Sequence, residues 1–182
     1  VSSELIPVLE RIIRDAQTVL ATLTADSKPN INRPNYEQYG WGITAAHKMV
    51  DSVTRVVVHH EGSTSAAGSS ALAIHKYHRG LGWAAIGYHF AIERDGTINE
   101  GRPMWAVGAH AKGFNSNSWG ICLVGNLDIE PPTAAQVTSL TRLLQWLVAQ
   151  RRGLEIVGHG DLMATACPGK YLNLEAIKAN LY

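Results

Sequence analysis

Two side chains that bind zinc well, a neutral imidazole and a thiolate, stand eight positions apart at His159 and Cys167. That spacing is too long for the two-to-four-residue knuckle of a zinc finger. The segment Gly158–Gly169 must therefore fold back on itself, with Gly158, Gly160, Pro168 and Gly169 shaping the turns. A third ligand is offered upstream by Val56-Val57-Val58-His59-His60, a β-branched run that reads as a buried strand delivering an imidazole at its end. Side chains alternate across a strand, so at most one of His59 and His60 reaches the same ion. Two histidines and one cysteine with an open fourth position is the stoichiometry of a catalytic zinc rather than a structural one. A structural zinc would need a fourth protein ligand, for which His60 or His110 is the candidate.

Other residues have types suited to a polar reaction. Tyr88, in Gly87-Tyr88-His89-Phe90, is either a core tyrosine or a phenol able to donate to an oxyanion beside the metal. Strand alternation places His89 on the face opposite Tyr88, which argues against its acting directly. His110 and Lys112 sit in a loop where they can touch substrate. Asn115, Asn117 and Ser118 flank a glycine-rich turn, suited to holding a polar ligand or simply to turn chemistry. His47 has no spacing to a ligand set and reads as a surface or packing histidine, and Cys122 reads as a small buried strand residue.

Positioning these groups requires a sheet. Arg55–His60 is the first strand, and 61–70 is a Gly/Ser/Ala-rich loop in front of its end. Ala71–Arg79 is a helix with Leu72, His75, Lys76 and His78 on its surface or flanks. Gly87–Arg94 and Thr97–Glu100 form a hairpin, because Asp95-Gly96 is a strong turn signal. Trp105–His110 and Trp119–Val124 continue as strands. Thr133 caps a helix whose apolar face runs through Val137, Leu140, Leu143, Leu144, Leu147 and Val148, and which Gly153 ends. Glu155–Val157 is a short strand leading into the metal loop, and Leu174–Leu181 is a closing helix. The expected fold class is α/β, a single mixed β-sheet flanked by helices, with an N-terminal helical extension.

That extension occupies residues 1–50, ahead of a catalytic domain at 51–182. From Pro7, suited to a first helical turn, Val8, Leu9, Ile12, Ile13, Ala16, Val19, Leu20 and Leu23 fall on one helical face. Such a face must be buried, against the main domain, a sister chain or a neighbouring domain. Thr24–Tyr39 is a polar connecting loop, and Trp41–Val50 returns toward the core.

The bulk properties set outer limits. A chain of 182 residues, 46% hydrophobic and 17% charged, buries one sizeable core. A net charge of +1 without a basic stripe argues against a nucleic-acid binder. No apolar run approaches a membrane span, and no signal-peptide pattern opens the chain. If Cys167 binds metal, Cys122 is free and a disulfide scaffold is excluded.

Taken together and in order, the runs Val58-His59-His60, Gly87–Phe90 with Arg94–Thr97, Val107–Asn115, Asn117–Asn126 and His159…Ala166-Cys167-Pro168 resemble the zinc-dependent N-acetylmuramoyl-L-alanine amidases of the type 2 amidase family. That family includes phage lysins and catalytic peptidoglycan recognition proteins. The resemblance covers roughly residues 53–180. It implies one zinc per chain on His59, His159 and Cys167, with Tyr88 as the catalytic tyrosine. Thr165 stands where lysins carry lysine and the catalytic recognition proteins carry threonine. A threonine supplies no charge, but its hydroxyl can donate to an oxyanion. Family members with a carboxylate ligand and a glutamate base differ here at Cys167 and Cys122. The implied substrate is peptidoglycan, cut between the lactyl group of N-acetylmuramic acid and L-alanine, with His110, Asn115 and Asn117 as candidates for holding it. The implied site of action is the bacterial cell wall, reached by secretion or phage release. Non-catalytic relatives that only bind peptidoglycan generally lack one or more metal ligands, whereas this chain has all three.

Overall fold

The computed structural model describes residues 5–25, 27–63 and 69–181. In chain order the elements are α1 (Leu5–Ala25), β1 (Ile31–Asn32), β2 (Arg55–His60), α2 (Ala71–Gly80), β3 (Phe90–Ile92), β4 (Ile98–Glu100), β5 (Ser118–Leu123), α3 (Ala134–Gln150), β6 (Glu155–Gly158) and α4 (Leu174–Lys178). Residues 64–68 of the expected 61–70 loop lie outside the described residues.

The strands form one six-stranded sheet in the order β1-β4-β3-β5-β2-β6. Pairing is parallel except between β3 and β4, the Asp95-Gly96 hairpin. There Gly96 takes φ +89°, and Thr97 N–H donates to Asp95 Oδ1 at 2.8 Å. A left-handed turn residue of this kind favours glycine. The valine-rich β2 lies inside the sheet between β5 and β6, which is why it has no polar face.

On one face, Val56, Val58, Phe90, Ile92, Ile121 and Leu123 pack against α3 and α4. The α3 residues Leu140, Leu143, Leu144 and Leu147 are fully buried there, each stabilising the fold by roughly 2 kcal/mol. Thr133 begins α3 with a reciprocal capping box: it accepts Gln136 N–H at 3.0 Å, and Gln136 Oε1 accepts Thr133 N–H at 3.1 Å. The opposite face carries Ala91 and Cys122, covered by Ala71 and Ile74 of α2 together with Tyr36 and Ile86. His59 emerges on this second face, in register with Cys122.

Several expectations need correction. Trp105–His110 is not a strand; only Ala106 bridges, to Met49. Two of its carbonyls are taken by side chains instead: Ala106 O accepts from His89 Nε2, and Val107 O from Arg102 Nη1 and His47 Nε2. The segment before β3 bends and does not alternate, so the first hairpin strand begins at Phe90 rather than Gly87. His75 and His78 are buried, not on the surface of α2, because each imidazole replaces a ladder partner. His75 Nδ1 accepts Ile86 N–H and its Nε2 donates to Gly40 O, while His78 Nδ1 accepts Gly87 N–H. The final helix closes at Lys178, three residues early, in turns.

The segment 31–50 belongs with the sheet. Ile31 and Asn32 pair with β4, and Tyr36, expected in a polar loop, is fully buried with its hydroxyl donating to Glu100 O at 2.9 Å. The ring of Tyr36 stacks on Trp41 and meets His75 at a tilt, and this aromatic packing outweighs the polar residues around it. Helix α1 meets α3, but Leu5, Ile6, Val8, Ile12 and Ile13 are all at least half exposed, so the apolar face expected to be buried faces solvent over these turns. The side chains of Leu20 and Leu23, assigned to the same face, lie outside the described residues. No helix among the described residues is long and apolar enough to cross a membrane.

Candidate functional site

The site lies beyond the carboxyl ends of the adjacent parallel strands β2 and β6, where open α/β sheets bind ligands. β2 delivers His59, and the chain leaving β6 delivers His159 in a short 3₁₀ turn, His159–Asp161. The loop then returns as the sequence requires: Gly160 N–H donates to Cys167 O at 2.7 Å and Gly158 N–H to Asp161 Oδ2 at 2.8 Å. A Cβ at Gly160 would lie 3.0 Å from the carbonyl oxygens of Thr165 and Cys167, and one at Gly158 would lie 2.9 Å from Pro168 Cδ. Glycine lets the two arms of the loop touch and thereby brings Cys167 back beside His159.

One donor atom from each of His59, His159 and Cys167 lies within 4.8 Å of the other two. Cys167 Sγ is 3.7 Å from His59 Nδ1. Tetrahedral zinc, with bonds of about 2.05 Å to nitrogen and 2.3 Å to sulfur, separates such a pair by about 3.6 Å. The donor set and its spacing therefore fit zinc. Burial pushes His59 well below the usual imidazole range, helped by His159 and His60, and burial also lowers His159. Both rings are thus neutral, as ligation needs. Burial raises the Cys167 thiol to about 11, only partly offset by the His60 backbone. Without a cation the sulfur stays protonated, and a metal would displace that proton.

His60, the other strand histidine, is outside this cluster. Its Nδ1 accepts Leu127 N–H at 2.9 Å, and its Nε2 lies 3.9 Å from Asp128. The alternation of β2 thus separates a metal donor from a loop anchor.

Tyr88 stands beside the cluster, its ring 5.2 Å from that of His59. Burial, the neighbouring thiols of Cys122 and Cys167, and a hydrogen bond with Cys122 hold its phenol well above its usual pKa. It is a proton donor at any neutral pH. His89 is fully buried. The bend before β3 brings its ring within 5.7 Å of His110, yet both nitrogens are occupied, Nδ1 by Gly120 N–H and Nε2 by Ala106 O. Thr165 is exposed in the metal loop, and its Oγ1 accepts Cys167 N–H at 3.3 Å, leaving the hydroxyl proton for another acceptor.

The three residues expected to hold substrate make contacts within the chain. His110 lies behind His59, its Nδ1 3.0 Å from His59 Nε2. Asn115 Oδ1 accepts the backbone N–H groups of His110 and Ala111 at 2.8 and 2.9 Å, stapling the loop. Asn117 O accepts Thr54 N–H, and its buried Oδ1 has no hydrogen-bond partner among the described residues. Sequence reasoning missed the contact between His59 and His110, and also Met163, whose sulfur is 2.7 Å from His159 Nε2. Gly108 and Gly120, two and ten residues from His110, were the available signal for a tightly held ring.

A mixed α/β sheet thus brings two neutral imidazoles and a thiol together as a possible metal site, with a protonated phenol alongside. The chain belongs to the N-acetylmuramoyl-L-alanine amidase family, whose sequence profile matches residues 49–170. It is 39% identical to the endolysin of Escherichia phage T7 over 126 residues, covering 66% of this chain and 83% of that protein. It superimposes on the N-acetylmuramoyl-L-alanine amidase LysC from Clostridium intestinale with a TM-score of 0.75 and 36% identity, over 85% of this chain and 98% of that one. A Drosophila PGRP-LB mutant in complex with tracheal cytotoxin aligns with a TM-score of 0.66 and 26% identity, over 76% and 89% of the two chains.

Proposed function

We infer that this protein hydrolyses the amide bond between N-acetylmuramic acid and L-alanine in bacterial peptidoglycan, using one zinc ion held by His59, His159 and Cys167. Family membership supports the reaction, and the clustering of the three donor atoms within 4.8 Å of one another carries the metal assignment. When bound, zinc with three protein ligands polarises a carbonyl and lowers the pKa of water toward neutrality.

The protein's own residues supply the rest. Because His59 and His159 are neutral and Cys167 would bring a single negative charge, zinc held by them would keep a net positive charge, which would favour an oxyanion. Tyr88, fixed against His59 and protonated, donates a hydrogen bond to the carbonyl oxygen as charge develops there. One such donor contributes about 3 kcal/mol of transition-state stabilisation. Thr165, in the same loop as Cys167, offers a second hydroxyl proton. His110 stands behind His59 and supplies no fourth ligand, which favours the catalytic over the structural reading. The working domain begins ahead of residue 51, with α1 as an appendage, because β1 and Tyr36 are packed into it. The protein acts on the cell wall, after phage release or secretion.

The test pairs metal analysis with product analysis. We expect one zinc per chain and new L-alanine amino termini on digestion of peptidoglycan, both abolished in Cys167→Ala. Full cleavage by metal-free protein would remove the basis of this reading.

A further inference from the structure

We propose that His110 is a positioning residue for the metal site: it accepts the Nε2–H of His59 and so commits the His59 Nδ1 lone pair to the metal. This rests on the zinc reading above and assigns His110 a role other than holding substrate.

The direction of each proton follows from the hydrogen bonds. Ser118 Oγ lies 2.6 Å from Phe114 O, and a carbonyl only accepts, so the serine proton is spent there. Toward His110, Ser118 Oγ can then only accept, and His110 Nε2, 3.5 Å away, carries a proton. A neutral imidazole holds one proton, so His110 Nδ1 is a bare lone pair. It faces His59 Nε2 at 3.0 Å, which must be the donor. His59 Nδ1 is left unprotonated, 3.7 Å from Cys167 Sγ. The opposite polarity would withdraw the Ser118 proton from its 2.6 Å contact with Phe114 O.

The ring of His110 is held for this task independently of any metal. A Cβ on Gly108 would lie 2.5 Å from His110 Cδ2, and one on Gly120 would lie 2.5 Å from His110 Cγ, so the imidazole occupies a slot left by two missing side chains. Its backbone is fixed by the Asn115 amide oxygen. A ligating histidine whose other nitrogen is anchored in this way has its tautomer and ring angle set before the ion arrives. The anchor here is a second imidazole rather than the commoner carbonyl or carboxylate.

Two measurements test this. Long-range ¹H–¹⁵N NMR on the metal-free protein reports the His59 tautomer directly, and we expect Nε2–H. A proton on His59 Nδ1 would overturn the assignment whether or not the protein binds zinc or cleaves peptidoglycan. Chelator competition on His110→Ala and His110→Asn measures zinc affinity. Alanine should weaken binding about 10–100-fold. Asparagine, whose amide oxygen can stand where Nδ1 does, should recover most of it, with KM for peptidoglycan unchanged in both. Unaltered zinc affinity in His110→Ala, or a raised KM alone, would instead make His110 a substrate contact. If the alanine variant does not fold, the asparagine variant and the wild-type tautomer still decide. If wild-type protein binds no zinc, the metal reading fails on its own, and the tautomer measurement stands apart from it.

Discussion

The ring of Tyr88 lies 5.2 Å from the ring of His59, although the chain carrying Tyr88 leads into β3 and His59 belongs to β2, with β5 between the two strands. The residue of β5 in register with both strands is Cys122, opposite His59 on one side and Ala91 on the other. A small thiol and a small methyl leave the space through which the phenol reaches across.

Removing only the phenol oxygen should therefore separate catalysis from structure. Tyr88→Phe is expected to lower kcat about 10²–10³-fold, the usual cost of one oxyanion donor, with zinc content unchanged. Steady-state cleavage of peptidoglycan alongside metal analysis checks this. A variant that loses zinc as well would place Tyr88 in the metal site rather than beside it.

Zinc should stabilise the folded chain, since the ligand geometry exists only there. At free zinc 100 times the dissociation constant the gain is about 2.7 kcal/mol. Thermal melts with chelator and with added zinc should differ by several degrees in wild type and coincide in Cys167→Ala. Coincident wild-type melts would contradict the assignment.

Gly120→Ala should destabilise the protein and loosen the site together, because its Cβ would overlap the His110 ring at 2.5 Å. Overpacking of this kind costs about 1–3 kcal/mol. Denaturant titration and zinc competition should move in parallel. Normal stability with weakened zinc binding would show that the ring can shift without strain.

Acid should weaken the fold ahead of carboxylate titration. Burial holds His78 and His89 down to about 4 from the ordinary imidazole value of 6.5. Between those values the unfolded chain takes up protons that the folded chain refuses, so stability falls as pH drops from about 6.5 to about 4 and levels off below. The loss is roughly 3 kcal/mol per histidine at most. Unfolding free energies across this window give the slope directly. His78→Asn, which retains an acceptor for Gly87 N–H, should make it shallower.

Deleting residues 1–26 should leave activity and melting temperature nearly unchanged, because the described apolar side chains of α1 stand largely in solvent. Deleting residues 1–50 should cost several kcal/mol, since it removes β1 and the fully buried Tyr36. Equal behaviour of the two truncations in circular dichroism melts would refute this division.

Much of this protein was legible in its sequence because the signals are local. The valine run of β2, the Asp95-Gly96 hairpin and the Thr133 cap each depend on neighbours a few residues away, and each formed where expected. The candidate ligand types and the glycines of the returning loop were legible for the same reason: chemistry restricts which side chains can bind zinc or let two backbones touch. The tertiary structure decided what the histidines do. His47, His75, His78 and His89 each bond to a backbone group on another segment, and His110 bonds to His59 across 51 residues. An imidazole carries a donor, an acceptor and an apolar ring at once, so its type alone fits a ligand, a substrate contact or an anchor. Which of these it becomes depends on the atoms that long-range packing brings to each nitrogen. The same holds for Tyr36, whose polar neighbours concealed a core position created by Trp41 and His75.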